Sequence, residues 1–269
     1  MRIWGDDMAT SVLGLRTFAA ADPVDYNEIN DNYNKIDSGV KTAMQGRAAH
    51  NLLDNSDFRN LVNQDNLSGT LTSAGYIFDR WILVSGSVAI GDSGITLNGT
   101  IQQVLEASPA GSVTAAASAG TASYDAGTKT FTITASGVLI TWAALYEGSY
   151  TADTLPAYQP KGYAAELAEC QRYYQIIPEQ TSCAFSAYAQ SGKYFASSIN
   201  FPHMRITPTV SLKTDASGNI GVVQGVAFVG ASEFDFAYKL NGTLLPATTN
   251  ANYAGKVMSL YGIVLDARL

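Results

Sequence analysis

The chain has 269 residues, a formal net charge of −7 and a pI near 4.7, and its 16 Lys and Arg residues are scattered. Proteins that bind the nucleic-acid backbone or a membrane surface through charge need clustered basic residues, so we expect neither partner here. No apolar run approaches the roughly 18 residues of a membrane-spanning helix. The N-terminal stretch "MRIWGDDMATSVLGLR" lacks the basic start and apolar core of a secretion signal, and we expect none.

Residues 1–50 end in a predicted helix. Asp25, followed three residues later by Glu28, resembles a capping box. Beyond it, apolar residues recur at the alternating intervals of three and four that are typical of a coiled-coil seam: Tyr26, Ile29, Tyr33, Ile36, Val40 and Ala43. About two and a half heptads are short for an isolated coiled coil, so a helix packed on its own domain is the alternative. We favour self-association because little of the N-terminal region is apolar enough to receive the helix.

Residues 51–160 are predicted to form short strands separated by turns that contain Gly, Asn or Asp, as in "YIFDRWILV", "GITLNGTIQQVLE" and "KTFTITA". In the last of these, Phe131 and Ile133 point to one face, and the three threonines at 130, 132 and 134 point to the other. Strands of this length and spacing predict an antiparallel sandwich or barrel.

The stretch "AELAECQRYYQ", within residues 161–178, interrupts this pattern because it contains no Gly, Pro or β-branched residue. Four apolar residues at intervals of four, three and four form one stripe of a predicted helix: Tyr163, Leu167, Cys170 and Tyr174. A helix this short is stable only when it packs on a neighbour. We therefore predict a connector helix between two β domains.

Residues 179–269 return to strand patterns such as "KYFASSINF" and "EFDFAYKL". Ser191–Gly192 and Asn241–Gly242 are predicted hairpin turns. The predicted fold class is therefore mainly β: an N-terminal helical, coiled-coil-like segment, then two antiparallel β-sandwich or jelly-roll domains joined by a short helix.

The two cysteines, Cys170 and Cys183, do not form a zinc site, because such a site needs about four nitrogen or sulfur ligands. A disulfide between them is one alternative. We favour two buried, reduced residues, because a chain without a secretion signal folds in a reducing compartment.

Groups that could converge for catalysis are few. The two histidines, His50 and His203, fall in different predicted domains, and no nucleophile-elbow pattern G-x-S-x-G occurs. "EFDF" places Glu233 and Asp235 on one predicted strand face, where two carboxylates could serve a glycosidase. A solvated face opposite an apolar core is the alternative that we favour. We predict a protein that is not an enzyme and has no metal or cofactor, since phosphate-cradling patterns are also absent.

Composition supports binding better, because the chain has 15 Tyr, 10 Phe and 3 Trp. Tyrosine offers a sugar a stacking face and a hydroxyl at low entropic cost. The candidates for ligand contact in the C-terminal domain are Tyr188, Tyr194, Tyr238 and Tyr253. The alternative for each is a place in the core or in a trimer seam.

Several stretches resemble bacteriophage and prophage tail-fibre and baseplate receptor-binding proteins. "YQPKGYAAELAECQRYYQ" resembles the junction in those proteins, where a Pro/Tyr connector leads into an E-L-x-x-C-Q-R-Y-Y helix. "NLLDNSDFRNLVNQ" with "YIFDRW" resembles the opening of their carbohydrate-binding-module-like sandwich, and "FPHMRITPTV" and "LDARL" resemble parts of their terminal domain. "TFAAADPVDYNEINDNYNKI" is similar to the helix by which many tail proteins attach and trimerise.

The resemblance implies a virion tail protein that is assembled in the host cytoplasm. Residues 1–50 would attach to other tail or baseplate proteins and form a homotrimer, and residues 51–160 would form the carbohydrate-binding-module-like sandwich. Residues 161–178 would connect it to residues 179–269, which would bind a bacterial surface glycan. The alternatives are a structural adaptor that holds another fibre protein, and a glycan depolymerase. The host, the receptor and the neighbouring tail protein stay open.

Overall fold

The computed structural model describes residues 25–45, 49–178, 181–190, 192–223 and 227–269. The fold is mainly β with antiparallel sheets, as predicted, and it divides into two compact units. The first unit comprises the described parts of Met1–Leu52 with Pro109–Thr114 and Leu145–Gln159. The second comprises Leu53–Ser108, Ala115–Ala144 and the described parts of Pro160–Leu269, so it includes most of both predicted β domains.

The first unit contains helix α1 (Tyr26–Gln45). Asp25 precedes it, and its Oδ1 accepts a 2.8 Å hydrogen bond from the backbone N–H of Asn27, which satisfies one of the free donors at the helix start. Elsewhere in this unit, Asn51 Oδ1 accepts a 2.9 Å hydrogen bond from the backbone N–H of Leu145. The part of the predicted attachment segment before residue 25 lies outside the described residues, and the coiled-coil pairing of α1 stays a prediction.

The strands before residue 150 are β1 (Gly69–Leu71), β2 (Gly75–Phe78), β3 (Trp81–Gly91), β4 (Gly94–Val104), β5 (Val113–Ala117), β6 (Thr121–Asp125), β7 (Thr130–Ile140) and β8 (Ala143–Glu147). One antiparallel sheet has the strand order β1-β3-β4-β7-β6, and β2 pairs with β3 beside it. β5 and β8 form a separate two-stranded sheet.

Strand β7 confirms the predicted alternation. Phe131 and Ile133 are fully buried, whereas the threonines at 130, 132 and 134 are partly or fully exposed. Trp81 lies in the same core, where its ring meets the rings of Phe58 and Phe131 edge-on at centroid distances of 5.1 and 6.0 Å. These large side chains fill one face of the sheet, which fixes the register of strands whose side chains alternate between two faces.

The C-terminal part begins with helix α2 (Tyr163–Gln171). Its strands are β9 (Tyr174–Ile177), β10 (Thr181–Gln190), β11 (Lys193–Ala196), β12 (Ile199–Asn200), β13 (Thr209–Leu212), β14 (Asn219–Val223), β15 (Ala227–Gly230), β16 (Phe234–Leu240), β17 (Thr243–Thr248), β18 (Val257–Leu260) and β19 (Ile263–Asp266). An eight-stranded sheet has the order β12-β17-β11-β10-β18-β14-β15, with β16 paired to β17. A three-stranded sheet has the order β13-β19-β9.

Both predicted hairpins in this part are confirmed by the strand register. Leu240 pairs with Thr243 around the Asn241–Gly242 turn, where Gly242 has a φ of 95°. Gln190 pairs with Lys193 in the same way. The core beneath these strands is one apolar cluster that includes Phe185, Met204, Ile220, Val229, Phe234, Phe236, Leu244, Met258, Leu260 and Leu265.

Candidate functional site

An open depression in the C-terminal part is a candidate binding site among the described residues. We call it the β16 pocket. It is lined by Lys193, Ser232, Glu233, Phe234, Asp235, Ala247, Thr248 and Thr249. Three charged side chains of both signs therefore surround a small space, together with hydroxyl groups.

Strand register explains how the charged residues meet. β17 lies between β11 and β16, and its Ala247 pairs with Phe195 on one side and with Asp235 on the other. Directly opposed residues in antiparallel strands share a face, so Phe195, Ala247 and Asp235 lie side by side on one face of the sheet. The side chain between the two outer strands is thus only the methyl group of Ala247. Lys193 Nζ reaches over this position and donates a 3.0 Å hydrogen bond to Asp235 Oδ2.

Polar side chains of the turn that follows β17 hold the Glu233 side chain in place. Its Oε2 accepts hydrogen bonds of 2.8 Å from Asn250 Nδ2 and of 2.8 Å from the Tyr253 hydroxyl. The Thr248 hydroxyl also donates a 2.6 Å hydrogen bond to the backbone carbonyl of Glu233. The sequence predicted Glu233 on one strand face with Asp235, but Glu233 ends a 3₁₀ helix, Ala231–Glu233, because β16 begins only at Phe234.

The hydrogen bonds also set the charge of the pocket. Asn250 and Tyr253 lower the pKa of Glu233, and Lys193 lowers the pKa of Asp235. Both groups are therefore carboxylates near neutral pH. Glycoside hydrolysis needs one carboxyl whose pKa is raised so that it can donate a proton, and these two acids do not provide it. His203 lies elsewhere, with its Nδ1 atom 3.2 Å from Asn241 Nδ2.

The structure places the predicted ligand-binding tyrosines in different environments. Tyr253 is 4 % exposed, and burial together with the bond to Glu233 raises its pKa to about 12. Tyr253 is therefore a support for the pocket carboxylate and has no free stacking face. Tyr194 is partly buried against the apolar core. Tyr188 and Tyr238 lie in β10 and β16, and their side chains are outside the described part.

The predicted oligomerisation residues lie along α1. Tyr33, Ile36 and Val40 are 67, 38 and 50 % exposed, although all three are apolar or aromatic. Ile29 is partly buried, and the side chains of Tyr26 and Ala43 are not among those described. The described part of the stripe thus presents an apolar surface that a second helix could cover.

The connector helix differs from its prediction at both ends. Tyr163 is 46 % exposed and Leu167 is half-buried, whereas Cys170 is fully buried. Tyr174 lies outside the helix, in contrast to the predicted stripe, because residues 174–177 form β9 and pair with β19. The polar residue Glu166 lies inside instead, with an exposed fraction of only 2 %. Cys170 is a free, buried thiol, and burial raises its pKa.

Glu166 is buried because it meets a polar loop from the first β region. Its Oε2 accepts a 2.6 Å hydrogen bond from the backbone N–H of Asn55. The Asn55 side chain in turn bonds both the N–H and the carbonyl of Val62 and the carbonyl of Asp79. The carbonyl of Asn55 accepts a bond from Trp81 Nε1 at 2.9 Å. One asparagine thus ties α2 to the core of the first β sheet.

Stacked cations complete the same contact, which we call the junction. The guanidinium of Arg80 lies 3.6 Å from the centroid of the Tyr173 ring and bonds Asp54 Oδ2 at 2.9 Å. The guanidinium of Arg268 lies between two rings, 4.1 Å from Tyr76 and 4.2 Å from Tyr174. The junction comprises Asp54, Asn55, Tyr76, Asp79, Arg80, Glu166, Tyr173, Tyr174 and Arg268. It joins the two β regions within the second unit.

No group of three or more His, Cys, Asp or Glu side chains in the described ranges is arranged to hold a metal ion. No described helix has both the length and the apolar character needed to cross a membrane.

Comparisons with protein-family models, with curated proteins and with solved structures find no match to this chain. Function is therefore inferred from the residues themselves. Sequence patterns pointed to Glu233 and Asp235, but they missed Lys193 and Asn250, which complete the pocket. They also missed Asn55 and Glu166 as partners, since hydrophobic periodicity carries no signal for a bond between distant polar residues.

Proposed function

We propose that this chain is a non-enzymatic structural protein of a bacteriophage or prophage tail. Residues 1–50 attach it to the baseplate or another tail protein and assemble it into a homotrimer through α1. The C-terminal part faces the bacterial surface and binds a saccharide there. In this proposal the two β regions are sandwich or jelly-roll domains, the first of them like a carbohydrate-binding module.

The proposal rests on one observation: the sequence stretches that resemble tail proteins meet at the junction. "NLLDN" supplies Asp54 and Asn55, "FDRW" supplies Arg80, and the helix stretch supplies Glu166 and Tyr173 to the junction. Stretches that are far apart in the chain, and that resemble tail proteins separately, thus form one contact network. This coherence supports a common origin for the set, because unrelated similarities would have no reason to converge in space.

Two further stretches reach the same place. Arg205, from "FPHMR", donates two hydrogen bonds. Its backbone N–H bonds the carbonyl of Arg172 at 2.7 Å, and its guanidinium bonds the carbonyl of Ala267 at 3.0 Å. Arg268, from "LDARL", stacks between Tyr76 and Tyr174. A receptor-binding part must be held firmly by the part that carries it. A junction built from buried bonds and stacked rings would hold residues 179–269 firmly against the first β region.

The exposed stripe on α1 supports the trimer. Apolar side chains at a and d positions are normally covered by the partner helices of a coiled coil, and Tyr33, Ile36 and Val40 are open to solvent in the single chain. Three copies would also present three C-terminal binding sites together, which raises the overall avidity for a repeated surface glycan without new contacts.

The experiment is a binding assay with the fluorescently labelled full-length protein on candidate host cells. We expect labelling that is lost when the cells are first treated with periodate, which oxidises sugar diols. Labelling that survives periodate contradicts saccharide binding. Capture of purified tail proteins without any cell binding would favour the adaptor function, and release of reducing ends from host glycan would favour a depolymerase.

A further inference from the structure

The geometry points to the β16 pocket as the place that holds one ring of a neutral saccharide through two adjacent hydroxyl groups. This inference rests on the proposed function and adds to it the site, the charge of the ligand and the number of rings bound.

Glu233 is an acceptor that is oriented before any ligand arrives. Asn250 and Tyr253 both donate to its Oε2 atom, and Thr248 anchors its backbone carbonyl. Tyr253 and Thr248 are buried, so this support is rigid. Ordering a flexible side chain on binding costs free energy, and a carboxylate that is already held avoids that cost. A carboxylate has two oxygens with about four lone-pair sites, so a ligand hydroxyl can still donate to this group.

The opposite side of the pocket offers donors. A lysine ammonium has three N–H donors. The Lys193 ammonium donates one hydrogen bond, of 3.0 Å, to Asp235 Oδ2. Asp235 Oδ1 accepts the backbone N–H of Phe236 at 2.7 Å. The ion pair is thus oriented at one end by the backbone, while the side chain of Lys193 is only 35 % exposed. Remaining ammonium protons can be donated to a ligand oxygen.

This arrangement matches a pair of neighbouring hydroxyls. Each hydroxyl has one donor and two acceptor sites, so one can donate to Glu233 while the other accepts from Lys193. Hydrogen bonds in which one partner is ionised are stronger than those between neutral groups. The same arrangement favours a neutral ligand, because two carboxylates and the ammonium of Lys193 line the pocket and the ammonium of Lys239 also acts on Asp235, so the charges nearly balance. A phosphate, sulfate or uronate group placed beside Glu233 would be repelled by its carboxylate.

The size of the pocket sets the number of rings. Pockets that enclose drug-sized ligands are about 300–1,000 Å³, whereas this depression is shallow and open to solvent. It suits a single ring at the end or on a branch of a glycan and does not suit a buried oligosaccharide. Single-ring contacts of this kind are weak, so a trimer with three such pockets would gain its useful strength through multivalency.

The test uses the full-length protein and saturation-transfer NMR with methyl glycosides of glucose, mannose and galactose. Glucose 6-phosphate and glucosamine provide an anionic and a cationic comparison. We expect at least one neutral glycoside to bind, and glucose 6-phosphate to bind no better than methyl glucoside. Absence of binding by all three neutral glycosides overturns the inference, and so does binding of the charged probes alone.

Two pocket variants and one matched control assign the site. Lys193→Ala and Glu233→Gln are expected to weaken glycoside binding at least tenfold, with melting curves used to confirm that each variant is folded. Lys129→Ala removes a lysine just before β7, in the first β region and outside the pocket lining, and is expected to change binding by less than twofold. Equal binding by wild type and both pocket variants overturns the inference.

The same variants separate this inference from the proposed function. If the wild-type protein and the pocket variants label host cells equally well, the β16 pocket is not the saccharide site, and the proposed attachment function is unaffected. Wild-type protein that binds a glycoside in the pocket but labels no host cell supports the pocket and overturns the attachment function.

Discussion

The backbone N–H of Asn55 donates a 2.6 Å hydrogen bond to Glu166 Oε2, although 111 positions separate the two residues. Asn55 is 1 % exposed and has a φ of 51°, in the left-handed region that asparagine tolerates better than most residues. Its side chain bonds three backbone groups of the first β region at 2.8 Å each. Asn55 therefore helps to position α2 and is itself held in place by three backbone groups of the first β region.

Replacing Asn55 by alanine is expected to destabilise the protein by about 3 kcal/mol or more, because three buried backbone groups lose their partner. Asn66→Ala is the matched control. Asn66 has nearly the same φ, 52°, but its side chain is exposed, so we expect a loss of only about 1 kcal/mol from backbone strain. Urea unfolding of both variants measures the difference. Equal losses would show that the Asn55 side chain contributes nothing beyond its backbone conformation.

Glu166 is expected to make stability depend on pH. Burial raises its pKa despite the bonds from Asn55 and the nearby ammonium of Lys161, and the carboxylate of Glu169 raises it further. The native state then holds its proton at a pH where the unfolded chain has released it. Stability therefore falls as the pH rises from the unfolded pKa, about 4.3, through the higher native pKa. Asp79, whose pKa burial also raises, acts in the same direction.

Glu166→Gln removes this dependence from one group and leaves all others in place. We expect the melting temperature of the variant, relative to wild type, to increase between pH 4 and pH 8. Subtracting the two curves cancels the contributions of the other carboxyls, including those whose pKa is lowered, such as Asp266. A difference that stays constant across this range would mean that Glu166 does not titrate with a raised pKa.

Arg80 is expected to be the most costly cation in the junction to remove. Its side chain is 3 % exposed, stacks on Tyr173 and bonds both Asp54 and the carbonyl of Val104. Removing one partner of a buried ion pair typically costs about 3–5 kcal/mol, and we expect Arg80→Ala to fall in this range.

Arg172→Ala is the control for Arg80, because Arg172 also lies near the Tyr173 ring, at 5.7 Å. Its side chain is half-exposed and pairs with Glu106 at the surface, so we expect a loss below about 1 kcal/mol. Thermal melts of the two variants would contradict the role of stacking and burial if their midpoints shifted equally.

The α1 stripe is expected to control the oligomeric state. Ile36→Asp places a charge at the predicted seam, and we expect light scattering to show loss of the trimer at micromolar concentration. Asn34→Asp adds the same charge next to the stripe, at an exposed position, and is expected to leave the trimer intact. A monomeric wild type, or dissociation by both changes alike, would contradict self-association through this face.

Local patterns were sufficient where neighbours in sequence decide the structure. The alternation in "KTFTITA" gave the correct faces of β7, and Asn-Gly gave the β16–β17 hairpin, because both depend on backbone geometry over a few residues. The acids of "EFDF" were found for the same reason. Both now line the pocket, although only Asp235 lies on the strand.

Distant partners explain what the patterns missed. The stripe through Tyr174 suggested a longer helix, but β19 pairs with residues 174–177 and ends α2 at Gln171. Glu166 is not part of the predicted stripe, and its burial depends on a loop more than a hundred residues earlier. Periodicity measures the hydrophobic side of a helix and does not register hydrogen-bond partners that only the folded chain brings near.

The stacking of Arg268 between Tyr76 and Tyr174 has a consequence for folding. The three side chains come from the early, middle and final parts of the chain, so this stack forms only after β2, β9 and the residues that follow β19 have come together. Contacts between residues so far apart in sequence form slowly, because the connecting chain must first be ordered. Because the stack joins the two β regions within the second unit, these regions are expected to unfold together. In a partly folded chain without this stack, residues 179–269 would not be held against the first β region.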